Sequence, residues 1–126
     1  MEVRSTQLLK GTLDMCLLAI IAQRPCYGYE MVQRLAQQGL VLVSEGSIYP
    51  LLGRLQQRGY LEGSLVSSTD GPPRKYYRLT PQGAGQLAEW QTEWESFAQA
   101  VSQVLKGAHA DVNSRSADPQ PDLRPQ

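Results

Sequence analysis

The stretch from Ser44 to Arg78 constrains this chain most, because it encodes a short helix, a strand, a Gly-Pro turn and a second strand within one compact run. Ser44 suits a helix N-cap, where its hydroxyl accepts from an orphan backbone N–H. Ile48, Leu52 and Leu55 repeat at helical spacing and form an apolar stripe, while Ser47, Pro50, Arg54 and Gln57 share another, mostly polar face. Gly59 ends the helix as a left-handed cap residue. Leu61 to Ser68 reads as a strand, Thr69 to Pro73 as turn chemistry, and Arg74 to Leu79 as the returning strand. Pro50 is awkward in this helix, because its fixed φ and missing N–H suit a first turn. Either the helix begins nearer Ser47 or its start is distorted. The expected fold is mainly α with a small β-hairpin wing, the layout of a winged helix-turn-helix followed by a C-terminal helix.

Residues 1–11 form a polar lead-in, and Thr12 to Gln23 is the first helix, with Leu13, Leu17, Ile20 and Ile21 as its stripe. Met15, Cys16 and Leu18 widen that stripe, so the helix is buried on more than one side, part of it against a second subunit. Arg24-Pro25 stops it, since proline disfavours helix at the preceding residue. Tyr27 to Gln38 is the second helix, with Met31, Val32 and Leu35 inward. Gly28 there costs about 1 kcal/mol against alanine and implies close packing against the next helix. Leu40 to Val43 is short and apolar and is expected to add a third strand beside the wing. Residues 1–80 thus form a winged helix-turn-helix domain.

Thr80-Pro81 opens a further helix as N-cap and first helical residue. Leu87, Trp90, Trp94, Phe97, Val101, Val104 and Ala108 then follow at alternating spacings of three and four, an a/d seam of about three heptads. Such a seam packs either on its own domain or on a second copy. A sustained heptad on a terminal helix favours the second, so 81–108 is expected to be a dimerisation helix and the chain a homodimer. Residues 109–126 hold three prolines and few apolar side chains and are expected to be disordered.

The formal net charge is zero, yet it is segregated. Residues 1–80 carry nine basic and six acidic groups, and residues 81–126 carry three basic and six acidic groups, so the positive part coincides with the winged helix-turn-helix, as expected of a reader of DNA. The two cysteines, Cys16 and Cys26, and the single His109 make no metal-binding pattern, so neither a metal nor a cofactor is expected. The cysteines read as small buried residues, with a disulfide or thiol switch as the alternative. No nucleophile–base pair, carboxylate dyad or phosphate loop is visible, which argues against an enzyme. The N-terminus lacks a signal peptide and the longest apolar run is too short to span a bilayer, so no membrane association and a cytoplasmic, nucleoid-associated location are expected.

The segments L-L-K-G-T-L-D-M-C-L-L (Leu8 to Leu18), Y-G-Y-E (Tyr27 to Glu30), S-I-Y-P-L-L-G-R-L (Ser47 to Leu55), R-G-Y-L (Arg58 to Leu61) and P-R-K-Y-Y-R-L-T-P-Q-G (Pro73 to Gly83) together resemble the PadR family of bacterial transcriptional regulators. The single terminal helix is similar to that of the family's shorter subfamily, which includes multidrug-binding repressors. The resemblance implies a homodimer joined through its first and last helices that binds double-stranded DNA at an inverted repeat, and release by a small aromatic effector. It implies DNA-facing roles for Ser47, Tyr49, Pro50 and Arg54 on the third helix and for Arg74 and Lys75 in the wing. Trp94, counted from R-L-T, matches a tryptophan that lines a central pore and stacks on flat ligands. Gly53 stands where the family often has a longer side chain, which thins the recognition face.

Arg54 suits a bidentate contact to guanine, or a contact to phosphate. Tyr76 and Tyr77 alternate across their strand, so one faces the core and the other lies toward DNA. Arg4 and Lys10 are candidates for flanking phosphates. Trp90 and Trp94 serve either as core or as an aromatic slot formed by symmetry-related indoles. The expected dimer interface comprises Leu13, Leu17, Leu87, Trp90, Trp94, Phe97, Val101 and Val104. The competing function is a winged-helix protein-interaction module, or an activator or clock-type regulator without a small-molecule inducer.

Overall fold

The computed structural model describes residues 4–117. Helices α1 (Arg4–Lys10), α2 (Leu13–Gln23), α3 (Gly28–Gln37) and α4 (Glu45–Gln57) precede the wing strands β2 (Leu61–Ser68) and β3 (Gly71–Leu79). A two-residue strand β1 (Cys26–Tyr27) lies between α2 and α3, and helix α5 spans Pro81–Ala117. Residues up to Trp90 make one compact unit and α5 from Gln91 makes another.

The polar lead-in is helical: α1 ends at Lys10, and Thr12 closes it by donating its hydroxyl to the Leu8 carbonyl at 3.1 Å. Arg24 after α2 is extended (φ −171°, ψ 152°), as the following Pro25 requires. Helices α3 and α4 end in the same way. Leu40 N–H donates to Leu35 O and Gly39 N–H to Ala36 O; Tyr60 N–H donates to Leu55 O and Gly59 N–H to Gln56 O. Gly39 and Gly59 have φ of 105° and 85°, the left-handed values this double-bonded C-cap needs.

The core gathers Leu13, Leu17, Leu18, Ile20 and Ile21 of α2, Met31 and Leu35 of α3, and Ile48, Leu52 and Leu55 of α4 under Cys26, Leu61 and Tyr77 of the sheet. The sheet is antiparallel with strand order β1-β3-β2. Its third strand is Cys26–Tyr27, paired to Tyr77 and Tyr76, rather than Leu40–Val43. Leu40 is consumed by the α3 C-cap, Val43 is buried in the core and Ser44 already caps α4, so the intervening chain has no length left to pair. The second strand of the wing also begins earlier than expected, at Gly71, and includes Pro72 and Pro73. Prolines are tolerated there because β1 covers only Tyr76 and Tyr77, leaving the outer edge of β3 open, and the β2–β3 ladder is irregular between Val66 and Ser68.

Thr80 N-caps α5 through Gly83 N–H at 2.9 Å and donates its own hydroxyl to Gly59 O at 2.6 Å. Leu87 and Trp90 pack against the core, Trp90 edge-on to Tyr60 with ring centroids 5.9 Å apart. The helix runs to Ala117 rather than stopping at Ala108, because no proline interrupts the chain before Pro119. The remainder of the expected disordered tail, 118–126, lies outside the described residues. Among the described residues, no single helix is long and apolar enough to cross a membrane.

Candidate nucleic-acid interface

Helix α4 is fixed at both ends before any side chain faces outward. Ser44 Oγ accepts from Ser47 N–H at 3.3 Å, and Ser44 N–H donates to Ser47 Oγ at 3.2 Å. Ser47 Oγ in turn donates to the Ser44 carbonyl at 2.8 Å, so the hydroxyl of Ser47 is engaged in the helix start. Pro50 sits inside the helix, which begins at Glu45. The carbonyl left without its i→i+4 donor belongs to Gly46, an exposed residue that water reaches.

At 100° per residue, the exposed side of α4 divides into a ridge and two flanks. Gly46, Pro50, Gly53 and Gln57 form the ridge, Ser47, Arg54 and the C-cap residue Arg58 one flank, and Glu45 and Tyr49 the other; all are exposed. A Cβ at Gly53 would meet nothing within 4 Å, and at Gly46 only Ser44 Oγ at 3.9 Å. The ridge is therefore bare at Gly46 and Gly53, as the departure at Gly53 suggested.

Tyr49 is pinned from two directions. Its hydroxyl donates to Glu45 Oε1 at 3.0 Å, and its ring lies over Gly28, where a Cβ would come within 2.6 Å of Oη and 2.8 Å of Cζ. This is the close approach that the glycine at the start of α3 implied. Partial burial, then the Glu45 carboxylate, raise the Tyr49 pKa above its ordinary value, so the phenol stays a donor at neutral pH.

The two basic residues of the wing point apart. Successive strand residues face opposite sides of a sheet, and the register sets Lys75 across from Leu65 and Arg74 across from Val66. Lys75 lies on the core side, its Nζ 5.3 Å from the Tyr77 ring centroid. Arg74 lies on the outer side, its Cζ 4.6 Å from the Tyr27 ring centroid and its Nη1 donating to Tyr27 Oη at 3.0 Å. Tyr27 also meets Tyr76 edge-on at 5.2 Å, and its backbone N–H donates to Glu30 Oε1 at 3.2 Å. Tyr77 is the tyrosine of the pair that enters the core. Arg78 is exposed and ion-paired with Glu62.

Sequence reasoning missed Glu45 and Tyr27 as partners of the site. The i,i+4 spacing of Glu45 and Tyr49 was a usable signal. The contact of Tyr27 with Arg74, 47 residues away, left none.

Leu13 and Leu17, expected at a dimer interface, are instead buried in the core of their own chain, so their apolar area holds the winged domain together. The seam of α5 divides. Leu87 and Trp90 pack on the domain, whereas Trp94, Phe97, Val101 and Val104 are 44%, 65%, 41% and 73% exposed. A shallow pocket of ≈ 320 Å³ lies on the sheet between Pro25, Val66, Tyr76 and Arg78 and does not involve Trp94. Both cysteines are free thiols; burial raises the pKa of each, with Asp14 adding to the effect at Cys16 and Arg34 opposing it at Cys26. Neither is a reactive thiolate at neutral pH. Among the described residues, no group of three His, Cys, Asp or Glu could hold a metal ion.

Residues 17–89 match the profile of the transcriptional regulator PadR-like family. A PadR-like transcriptional regulator from Bacillus cereus superposes with a TM-score of 0.71 at 46% identity, over 79% of this chain and 96% of that one. A PadR family regulator from Eggerthella lenta gives 0.73 at 34% identity, over 80% of this chain and 88% of that one. Transcriptional regulator Rv3488 of Mycobacterium tuberculosis is 36% identical over 83 residues, which is 64% of this chain and 73% of that protein. With its bare-ridged helix, basic wing and these likenesses, the chain belongs to the PadR-like family: it is a DNA-binding transcriptional regulator and not an enzyme.

Proposed function

We propose that this regulator works as a homodimeric repressor on an inverted-repeat operator, in the cytoplasm at the nucleoid. The observation that carries the dimer is the exposed row Trp94, Phe97, Val101 and Val104, an apolar seam at heptad spacing that one chain leaves open to water. Pairing two such helices would set two α4 helices into successive major grooves about one turn apart. In this reading Arg54 reads a base, Ser47 and Pro50 line the helix face, Tyr49 is a positioning residue on that helix, and Arg74 and Lys75 engage phosphates from the two sides of the wing. Trp94 and its symmetry mate would form a slot for a flat aromatic effector, whose binding shifts the spacing of the two heads.

Mobility shifts on the DNA upstream of the protein's own gene, across a salt series, test the assignment. Arg54→Ala is expected to cost about 1–3 kcal/mol on the cognate site and to relax discrimination there. Lys75→Ala is expected to weaken binding to all sequences and to flatten the salt slope by about one unit. Unchanged affinity and slope in both variants would contradict the assignment.

A further inference from the structure

The carboxylate of Glu45 is out of place on a surface that must approach phosphates. It is the sole acid on α4, it is exposed, and the other charged residues of α4, its C-cap and β3 are all basic: Arg54, Arg58, Arg74, Lys75 and Arg78. Near a phosphate it would cost affinity. Directed at base edges it becomes useful, and its position allows this, because residues at the N-terminal end of a recognition helix are the ones that meet the bases. Glu45 is the first residue of α4, where unpaired backbone N–H groups favour negative charge.

The major groove offers a carboxylate one clean partner. Cytosine presents its N4 amino group with no acceptor of its own, whereas adenine sets N7, an acceptor, beside its amino group, and guanine and thymine present acceptors. Tyr49 fixes the geometry. Its hydroxyl donates to Glu45 Oε1 at 3.0 Å, which leaves Oε2 of this exposed residue as the second acceptor, and its ring is held over Gly28.

We infer that Glu45 is a specificity-determining residue that accepts from the N4 amino group of a cytosine in each half-site, with Tyr49 as its positioning residue. This rests on the reading of α4 as the helix that enters the major groove.

Selection of binding sites from a randomised duplex library, with the full-length protein and with Glu45→Ala, Glu45→Gln and Tyr49→Phe, tests it. The wild-type motif is expected to hold a cytosine at one fixed position in each half-site. Glu45→Ala should make that position degenerate, a loss of about tenfold preference, and leave the other positions unchanged. Glu45→Gln should move the preference toward adenine, whose N6 and N7 suit an amide. Tyr49→Phe should weaken the cytosine preference at the same position only, an effect that general damage to the helix would not produce. A Glu45→Ala motif identical to the wild-type motif would overturn the inference, as would a wild-type motif without a fixed cytosine. A wild-type selection that yields no motif would instead overturn the underlying reading of α4.

Discussion

Gly83→Ala is expected to destabilise the protein by about 3 kcal/mol, which lowers the melting temperature of a domain this size by roughly 12–24 °C. Gly83 is a buried residue in the first turn of α5, pressed against the chain that leaves α4. A Cβ there would collide with the carbonyl oxygen of Tyr60 and lie 2.9 Å from its carbonyl carbon and 2.8 Å from Leu79 Cδ1. The Tyr60 backbone has little freedom to yield, because its N–H donates to Leu55 O at 3.0 Å and its carbonyl accepts from Thr80 N–H at 3.1 Å. Gly85, two residues on, is exposed with nothing within 4 Å of such a Cβ. Gly85→Ala should therefore be neutral or stabilising by up to about 1 kcal/mol through helix propensity. Thermal unfolding of the two variants side by side checks the contrast, and equal melting temperatures would contradict this packing of α5.

The second large effect concerns the seam of α5. The double variant Phe97→Glu/Val104→Glu puts two carboxylates into the row that the proposed dimer buries, where an unpaired charge is strongly unfavourable. Both residues lie beyond Trp90 and are exposed in the single chain, so the winged domain should fold as before. Analytical ultracentrifugation should then find a dimer for the wild type and a monomer for the variant at micromolar concentration. Affinity for a two-half-site DNA should fall by about a hundredfold or more, because the second head no longer binds as part of the same molecule. A variant that remains dimeric would place the interface elsewhere.

Local chemistry made much of this fold legible in the sequence. Ser44, Gly59, Pro25 and Thr80-Pro81 mark element ends through capping and sterics that act within a few residues, and each stands where those rules put it. The apolar stripe of Ile48, Leu52 and Leu55 likewise identified the buried side of α4. Features decided by distant partners were not legible. Cys26–Tyr27 is too short for any periodicity, and it is a strand only because β3 lies beside it. Leu40–Val43 has strand-like residues, but its ends are claimed by the caps of the flanking helices. Arg74-Lys75 reads as one basic patch, although strand alternation sends the two side chains to opposite faces and Tyr27 holds the first. Leu13 and Leu17 share the apolar character of an interface, and only the packed core shows that their own chain covers them. Gly83 read as part of a helix start, since the carbonyl that excludes a side chain there comes from Tyr60.

The central claim is that two copies of this chain bind one inverted-repeat DNA site through paired α4 helices. Native mass spectrometry of the complex on the upstream DNA, joined to hydroxyl-radical footprinting of the same sample, tests it most directly. The expected result is two protomers per duplex, with two protected half-sites about one helical turn apart on one face of the DNA. One protomer per duplex, or no localised protection at low salt, would contradict it.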